Sequence, residues 1–242
     1  MVKEISKLKW SRINSFLGNK KSSSLGIHRL CPICDSNKIK TLFSVENMQF
    51  YTDSKVKPKL FDINQCVCLN CYAIFTNPCY SNYGFESLFS EAGKSYGSLA
   101  AHTEEQISWL EQNSLLKENS IVLDVGCYDG YFLSMLPAKI NKIGVDLDLE
   151  AIEKGKSKYQ GKGIKFYNGN FESFDYHDLP PSTITMYHVL EHLPNPRKVL
   201  KKLSSISNDN TNLIIEVPIL EDGKPDDISG FFSEQHLTHF TK

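Results

Sequence analysis

The sequence lacks any apolar run long enough to cross a membrane. A transmembrane helix needs about 18 or more consecutive apolar residues, and no stretch of the 242 residues approaches that length. The N-terminus, MVKEISKLKWSRINSFLGNKK, is charged throughout and lacks the apolar core of a secretory signal. We therefore expect a cytoplasmic protein without a membrane span.

Excess charge of one sign is also missing, because the formal net charge is only −1. That balance hides an asymmetry: residues 1–60 contain 12 Lys and Arg against four Asp and Glu, and the remainder contains 15 against 24. A basic front favours an anionic partner such as RNA, but its charges are scattered and not interleaved with stacking aromatics. The sequence thus disfavours nucleic acid. It predicts a basic tail or amphipathic helix over residues 1–28.

Cysteine is unevenly placed, with six of the seven residues between positions 31 and 79. In a reducing cytosol such a cluster favours metal over disulfides. Two C-x-x-C pairs would supply the four thiolates of a closed, structural zinc site; their members are Cys31, Cys34, Cys68 and Cys71. Cys66 is an alternative to Cys68.

The residues around these cysteines predict a small zinc-ribbon-like module over 29–80. Short strand patterns occur at TLFSV, 41–45, and at KLFDINQCV, 59–67. So small a segment has little core, and we expect metal binding to supply its folding energy.

The second half of the chain alternates apolar runs with helical patterns. Residues 81–118 are predicted as a helical linker, and residues 119–242 as an α/β domain with a Rossmann-like parallel sheet and helices on both faces. The predicted strands are 121–127, 142–148, 164–170, 183–189 and 212–218. Ligands on such sheets bind at the carboxyl ends of the strands.

Glycine and an acidic residue mark two of those strand ends. The turn DVGCYDG places Gly126 and Gly130 between a strand and a helix, where the backbone can approach a ligand closely. The three glycines of the dinucleotide fingerprint are missing. Asp146 ends the next strand, 20 residues after Gly126, where a carboxylate can accept hydrogen bonds from ribose hydroxyls.

With these features, residues 118–240 resemble the class I S-adenosylmethionine-dependent methyltransferases. LDVGCYDGYFL resembles their first motif, whose loop wraps the methionine end of the cofactor; Asp146 falls at the ribose position, and Asn170 and Phe171 fall where the family contacts adenine. The resemblance implies S-adenosyl-L-methionine as cofactor. The residues it implies for binding are Asp124, Gly126, Cys127, Tyr128, Gly130, Asp146, Leu147, Asn170, Phe171 and His188.

The cysteine-rich front, CPIC…CLNCYAIFTNP, is similar to one subgroup with a zinc-binding N-terminal module that acts on nucleotide-linked sugars. Its best-known members methylate a sugar carbon. SEQHLTHFT resembles that subgroup's active-site segment, which places His236 at the catalytic histidine. Gln235 and Ser233 stand where the subgroup has Glu and Tyr, and Tyr128 stands where the wider family has Gly. The resemblance implies a small-molecule acceptor, a nucleotide sugar, methylated at carbon or oxygen.

The stretch YHVLEHLPNP, 187–196, has the H-x-x-E-H spacing of a class of zinc peptidases. Pro194 and Pro196 leave little room for the helix that such a site needs. We therefore interpret the stretch as the exit of the fourth strand, with His188 facing the cofactor or acceptor as the second candidate base after His236. Glu191 and His192 are expected to brace the loop, and a metal bound here is the alternative.

Two other functions and an incomplete sheet complete the expectations. An RNA methyltransferase with a zinc module and a non-catalytic cofactor-binding protein remain the alternatives. Class I enzymes usually have seven strands, five are predicted here, and the last hairpin would follow HLTHFT. We therefore expect the domain to be C-terminally incomplete. The sequence gives no oligomeric state.

Overall fold

The computed structural model describes residues 26–49, 60–80, 100–220, 232 and 235–242. Most of the predicted tail, 1–28, and the first half of the predicted linker, 81–118, lie outside these residues. Helices α1 to α4 are Ala100–Gln112, Tyr131–Met135, Leu149–Lys158 and Pro196–Ile206, and a 3₁₀ turn covers Leu190–His192. Strands β1 to β11 are Gly26–Ile27, Ile39–Gln49, Leu60–Cys68, Ile74–Thr76, Cys79–Tyr80, Ile121–Val125, Asn141–Asp146, Ile164–Asn168, Thr183–Tyr187, Asn212–Glu216 and Thr238–His239. None of the described helices is both long and apolar enough to cross a membrane.

The chain divides into two compact units. Unit 1 comprises residues 1–88, 190–197 and 217–242, and unit 2 comprises residues 89–189 and 198–216. The predicted methyltransferase domain, 119–242, therefore contributes two of its segments to unit 1.

Unit 2 is built on a five-stranded parallel sheet in the order β10-β9-β6-β7-β8. The first strand along this part of the chain, β6, lies in the middle, and successive strands are added first on one side and then on the other. Strands β6 and β9 are buried along nearly their whole length, as expected for strands covered on both faces. The predicted Rossmann-like sheet with flanking helices is confirmed.

Several elements of unit 2 end earlier than their apolar runs predict. Strand β6 stops at Val125 because Gly126 has a φ of +80°, and β9 stops at Tyr187 because His188 has a φ of +54°. Helix α2 stops at Met135, since Leu136 precedes a proline and is extended. The left-handed residues Gly126 and His188 thus turn the chain sharply at the carboxyl ends of β6 and β9, the edge at which parallel sheets bind ligands.

Unit 1 contains an antiparallel sheet in the order β11-β4-β3-β2. Both predicted strands form, and the short strand β4 was not predicted. Strand β11, from the segment HLTHFT, pairs with β4 rather than with the parallel sheet. Buried hydrogen bonds from the Gln65 side chain support this pairing, since its amide donates to Thr76 Oγ1 at 3.1 Å and its carbonyl oxygen lies 2.9 Å from His239 Nε2.

Candidate functional site

The four predicted zinc-ligating cysteines of unit 1 converge. Their sulfur atoms all lie within 4.8 Å of one another, with Cys31 and Cys71 separated by 3.5 Å and Cys34 and Cys68 by 3.6 Å. A tetrahedral zinc ion with Zn–S bonds of about 2.3 Å holds its sulfurs about 3.8 Å apart. The four thiols therefore fit a tetrahedral metal ion.

Backbone and amide donors surround two of these sulfurs. The N–H of Asn70 donates to Cys68 Sγ at 3.4 Å, and the Asn70 side-chain amide donates to Cys34 Sγ at 3.5 Å. Burial raises the pKa of Cys68, but hydrogen bonds from the backbone of Cys71 and Asn70 outweigh it and lower this pKa to about 6. Such donors favour the thiolate form that a metal requires.

Cys66, the alternative ligand, lies outside the four-sulfur group. Its side chain is buried, 3.8 Å from Thr41 Oγ1, and burial raises the pKa of its thiol. Among the described residues, the geometry thus selects Cys68.

In unit 2, the glycine turn after β6 packs tightly against its neighbours. A Cβ on Gly126 would lie 2.3 Å from Val189 Cγ2, and one on Gly130 would lie 2.5 Å from the Phe166 ring. Both glycines have positive φ. The backbone of Gly126 nevertheless remains exposed, so it is open to a ligand.

Asp146, at the carboxyl end of β7, is tied to this turn. One carboxylate oxygen accepts the N–H of Tyr128 at 2.8 Å, and the other accepts the N–H of Asp148 at 2.8 Å. Burial raises the pKa of Asp146, and these two hydrogen bonds oppose the rise in part. Each oxygen keeps a second lone pair, so the partly exposed carboxylate can accept two ligand hydroxyls.

The backbone of Leu147 is fixed by a side chain from the neighbouring strand β8. The side-chain amide of Asn168 donates to the carbonyl oxygens of Asp146 and Leu147, at 3.1 and 3.0 Å. These two hydrogen bonds fix the backbone at the end of β7 and just after it.

Two predicted site residues have enclosed side chains. Asp124 is 4% exposed and accepts a 2.7 Å hydrogen bond from Thr185 Oγ1, and burial raises its pKa to about 7. Cys127 is 5% exposed, and burial raises the pKa of its thiol. The side chains of Asp124 and Cys127 pack inside the domain beneath the turn. Because they are enclosed, these two residues would contact a ligand through their backbone groups.

Asn170 and Phe171 form a turn after β8. The Asn170 side-chain oxygen accepts the N–H of Glu172 at 2.9 Å, and its backbone oxygen accepts the N–H of Ser173 at 3.0 Å. Phe171 is buried, with its ring centroid 6.0 Å from that of Phe174. Their contact with adenine stays a prediction.

His188 lies in a polar cluster that the sequence did not predict. Its Nε2 is 2.9 Å from Glu216 Oε1, and His102 Nε2 lies 2.6 Å from the same oxygen. Glu216 ends β10, so the rule that ligands bind at strand carboxyl ends could have singled it out. No local signal marks His102, which joins the cluster from α1.

His236 lies in a different cluster, in unit 1. Its ring centroid is 5.0 Å from that of His192, whose Nε2 lies 3.7 Å from the Glu191 carboxylate. His192 Nδ1 donates to the Gln235 carbonyl oxygen at 2.9 Å.

The H-x-x-E-H spacing therefore does not produce a peptidase site in the described residues. His188 groups with His102 and Glu216, whereas Glu191 and His192 group with His236. The backbone agrees with the expected bracing role, since the Glu191 carbonyl oxygen accepts the N–H of Leu237 at 2.7 Å.

Comparison with known proteins gives a family. A model described as a methyltransferase domain matches residues 99–242, while no curated protein matches the chain. Similar solved structures include the BH2331 protein of Bacillus halodurans, at 18% identity and a TM-score of 0.49, and the YcgJ protein of Bacillus subtilis, at 18% and 0.48. Another is an S-adenosylmethionine-dependent methyltransferase of Clostridium acetobutylicum, at 16% and 0.43.

These three alignments each cover 57% of this chain, and they cover 64%, 63% and 57% of the respective proteins. The chain thus spans less than two thirds of the length of each. The family model covers more than half of this chain, and it confirms the prediction of a methyltransferase domain. The chain belongs to the methyltransferase-domain family.

Proposed function

We propose that this protein transfers a methyl group from S-adenosyl-L-methionine to a small molecule, a nucleotide-linked sugar, at carbon or oxygen. The position of Asp146 is the main support for this cofactor. Its carboxylate is fixed at the carboxyl end of β7 beside the glycine turn. When bound, the cofactor supplies an electrophilic methyl group on its sulfonium. The chain's own residues bind and orient the two reactants.

Each part of the cofactor has candidate partners in unit 2. Asp146 would accept the ribose hydroxyls, and the exposed backbone at Gly126 would meet the methionine portion. Leu147, Asn170 and Phe171 would contact the adenine end. The aromatic Tyr128 replaces the family's middle glycine, and its N–H is already directed at Asp146.

The sugar acceptor rests on the motifs of unit 1. CPIC…CLNCYAIFTNP and SEQHLTHFT both resemble segments of the sugar-modifying subgroup. His236 is the first candidate base. The sugar-modifying subgroup has a Glu where this chain has Gln235, and the nearby Glu191 supplies a carboxylate to the group that contains His236. His188 is the second candidate, and its carboxylate partner is Glu216.

The cysteine cluster is proposed to hold a structural zinc ion. Four thiolates would fill a tetrahedral coordination shell and leave no position for water or substrate. The ion would then stabilise the small β-sheet around Cys31, Cys68 and the buried Phe75 rather than take part in methyl transfer.

Calorimetric titration with S-adenosylhomocysteine tests the cofactor assignment. We expect measurable binding that Asp146→Ala weakens at least about tenfold, since a hydrogen bond to a charged group is worth about 1.5–3 kcal/mol. Asp178→Asn is a matched control, because Asp178 pairs with Lys165 on the surface of the same unit. No binding by the wild-type protein would overturn the assignment.

The acceptor needs a separate assay. Transfer of labelled methyl from the cofactor is measured against a panel of nucleotide sugars and against RNA, each at low and high salt. We expect label in a sugar nucleotide only. Salt-sensitive labelling of RNA alone would replace the sugar acceptor with nucleic acid while leaving the cofactor assignment intact.

A further inference from the structure

Three side chains of unit 2 point their metal-ligating atoms at one place. His102 belongs to α1, His188 follows β9 and Glu216 ends β10. One ligand atom from each lies within 4.8 Å of the other two. The cluster lies at the carboxyl ends of adjacent parallel strands, because Glu216 is the register partner of Tyr187.

The distances suit ligands that share one ion. Glu216 Oε1 is 2.6 Å from His102 Nε2 and 2.9 Å from His188 Nε2. Neighbouring ligand atoms around an octahedral ion with bonds of about 2.1 Å are about 3.0 Å apart. The two distances to Glu216 Oε1 thus already have nearly this spacing, and the two histidine ligand atoms lie within 4.8 Å of each other.

Neighbouring side chains contact the three candidate ligands in the way that residues around a metal site support its ligands. Gln106 donates to the second oxygen of Glu216 at 3.0 Å, so both imidazoles meet the same single oxygen. Glu105 Oε2 lies 3.6 Å from His102 Nδ1, on the side away from the cluster. A ligating histidine typically directs its other ring nitrogen at a carboxylate, and a ligating carboxylate is itself hydrogen-bonded.

The backbone conformation of His188 and the exposure of its side chain also favour a ligand-binding site. His188 has a φ of +54°, a left-handed conformation that is uncommon outside glycine and concentrates at functional sites. Its N–H is fixed by the Glu216 carbonyl oxygen at 2.9 Å. The His188 side chain is half exposed, which leaves one side of the cluster open to solvent or ligand.

We propose that His102, His188 and Glu216 bind a divalent transition-metal ion at a second metal site, distinct from the cysteine cluster. Two imidazoles and one carboxylate select ions such as Co²⁺, Fe²⁺, Mn²⁺ or Zn²⁺, and three ligands leave coordination positions open. These positions would take oxygen atoms of an acceptor, and the ion would lower the pKa of a bound hydroxyl. This catalytic role rests on the proposed function; the binding of the ion does not.

Cobalt added to protein that already holds one equivalent of zinc tests the site. Thiolates keep zinc in preference to cobalt, so Co²⁺ should occupy the second site. We expect one equivalent of Co²⁺ with visible d–d absorption and without the intense thiolate charge-transfer band. His102→Ala and Glu216→Gln should each weaken Co²⁺ binding at least about tenfold, the lower end of the loss seen even for outer partners. The zinc content should not change.

His177→Ala is the matched control, since His177 is an exposed histidine of the same unit whose Nε2 lies 3.1 Å from the Asp175 carboxylate. This variant should bind Co²⁺ like the wild type. No second equivalent of metal, or equal affinity in His102→Ala, Glu216→Gln and His177→Ala, would overturn the proposal. Because S-adenosylhomocysteine binding is measured without cobalt, failure of the metal site is distinguishable from failure of the methyltransferase assignment. Glu216→Gln preserves side-chain size, so its loss of binding is separable from unfolding by circular dichroism.

Discussion

Replacing Gly126 by alanine should separate two contributions to the loss of stability at the glycine turn after β6. The added Cβ meets Val189 Cγ2 at 2.3 Å, and the backbone has a φ of +80°. Gly161→Ala provides the matched control, because Gly161 has a φ of +85° but nothing within 4 Å of a Cβ. The left-handed conformation costs a non-glycine residue about 1–2 kcal/mol, and overpacking adds about 1–3 kcal/mol. We therefore expect a destabilisation of about 1–2 kcal/mol for Gly161→Ala and about 2–5 kcal/mol for Gly126→Ala.

Equilibrium urea denaturation, followed by tryptophan fluorescence, measures both variants, since Trp109 lies in unit 2. Only Gly126→Ala should also weaken S-adenosylhomocysteine binding, because its strain falls on the proposed cofactor turn. Adding Val189→Ala should restore part of that affinity by removing the clash. Equal destabilisation in the two glycine variants, with equal affinity, would refute the reasoning that close packing fixes this turn.

Three further predictions concern the cysteine cluster, the buried carboxyl and the candidate base. Cys68→Ser should lose the bound zinc, whereas Cys66→Ser should retain it; atomic emission spectroscopy of the purified variants distinguishes them, and zinc loss only in Cys66→Ser would reverse the ligand assignment. The pKa of Asp124 is raised from 3.8 to about 7 by burial, so the folded chain holds a proton that the unfolded chain releases. The contribution of Asp124 to the free energy of unfolding should therefore fall by up to about 4 kcal/mol as the pH rises from about 4 to 7. Asp124→Asn should remove this slope in urea denaturation, and an unchanged slope would contradict it. His236→Ala should abolish methyl transfer while S-adenosylhomocysteine still binds in calorimetry; near-normal turnover would remove His236 as the base.

Local patterns in the sequence were sufficient to predict the parallel sheet and the cysteine cluster. Apolar runs separated by helical periodicity specify strands and helices through side-chain burial alone. The spacing of CPIC and CLNC places two thiols on each of two tight turns, so it predicts a four-sulfur group without knowledge of the rest of the fold. The glycine turn and Asp146 were predictable for the same reason, because they lie next to strand ends.

Only the tertiary structure decided which polar side chains meet. His188, Glu191 and His192 are neighbours in the sequence, yet the left-handed backbone at His188 and the 3₁₀ turn after it divide them between two clusters. Glu216 reaches His188 through strand pairing across 28 residues, and His102 arrives from a helix 86 residues away. Local periodicity carries no information about such pairings, because they depend on strand order and packing. The sequence by itself determined the type of sheet and the place of the glycine turn, whereas long-range packing determined the partners of each candidate catalytic residue.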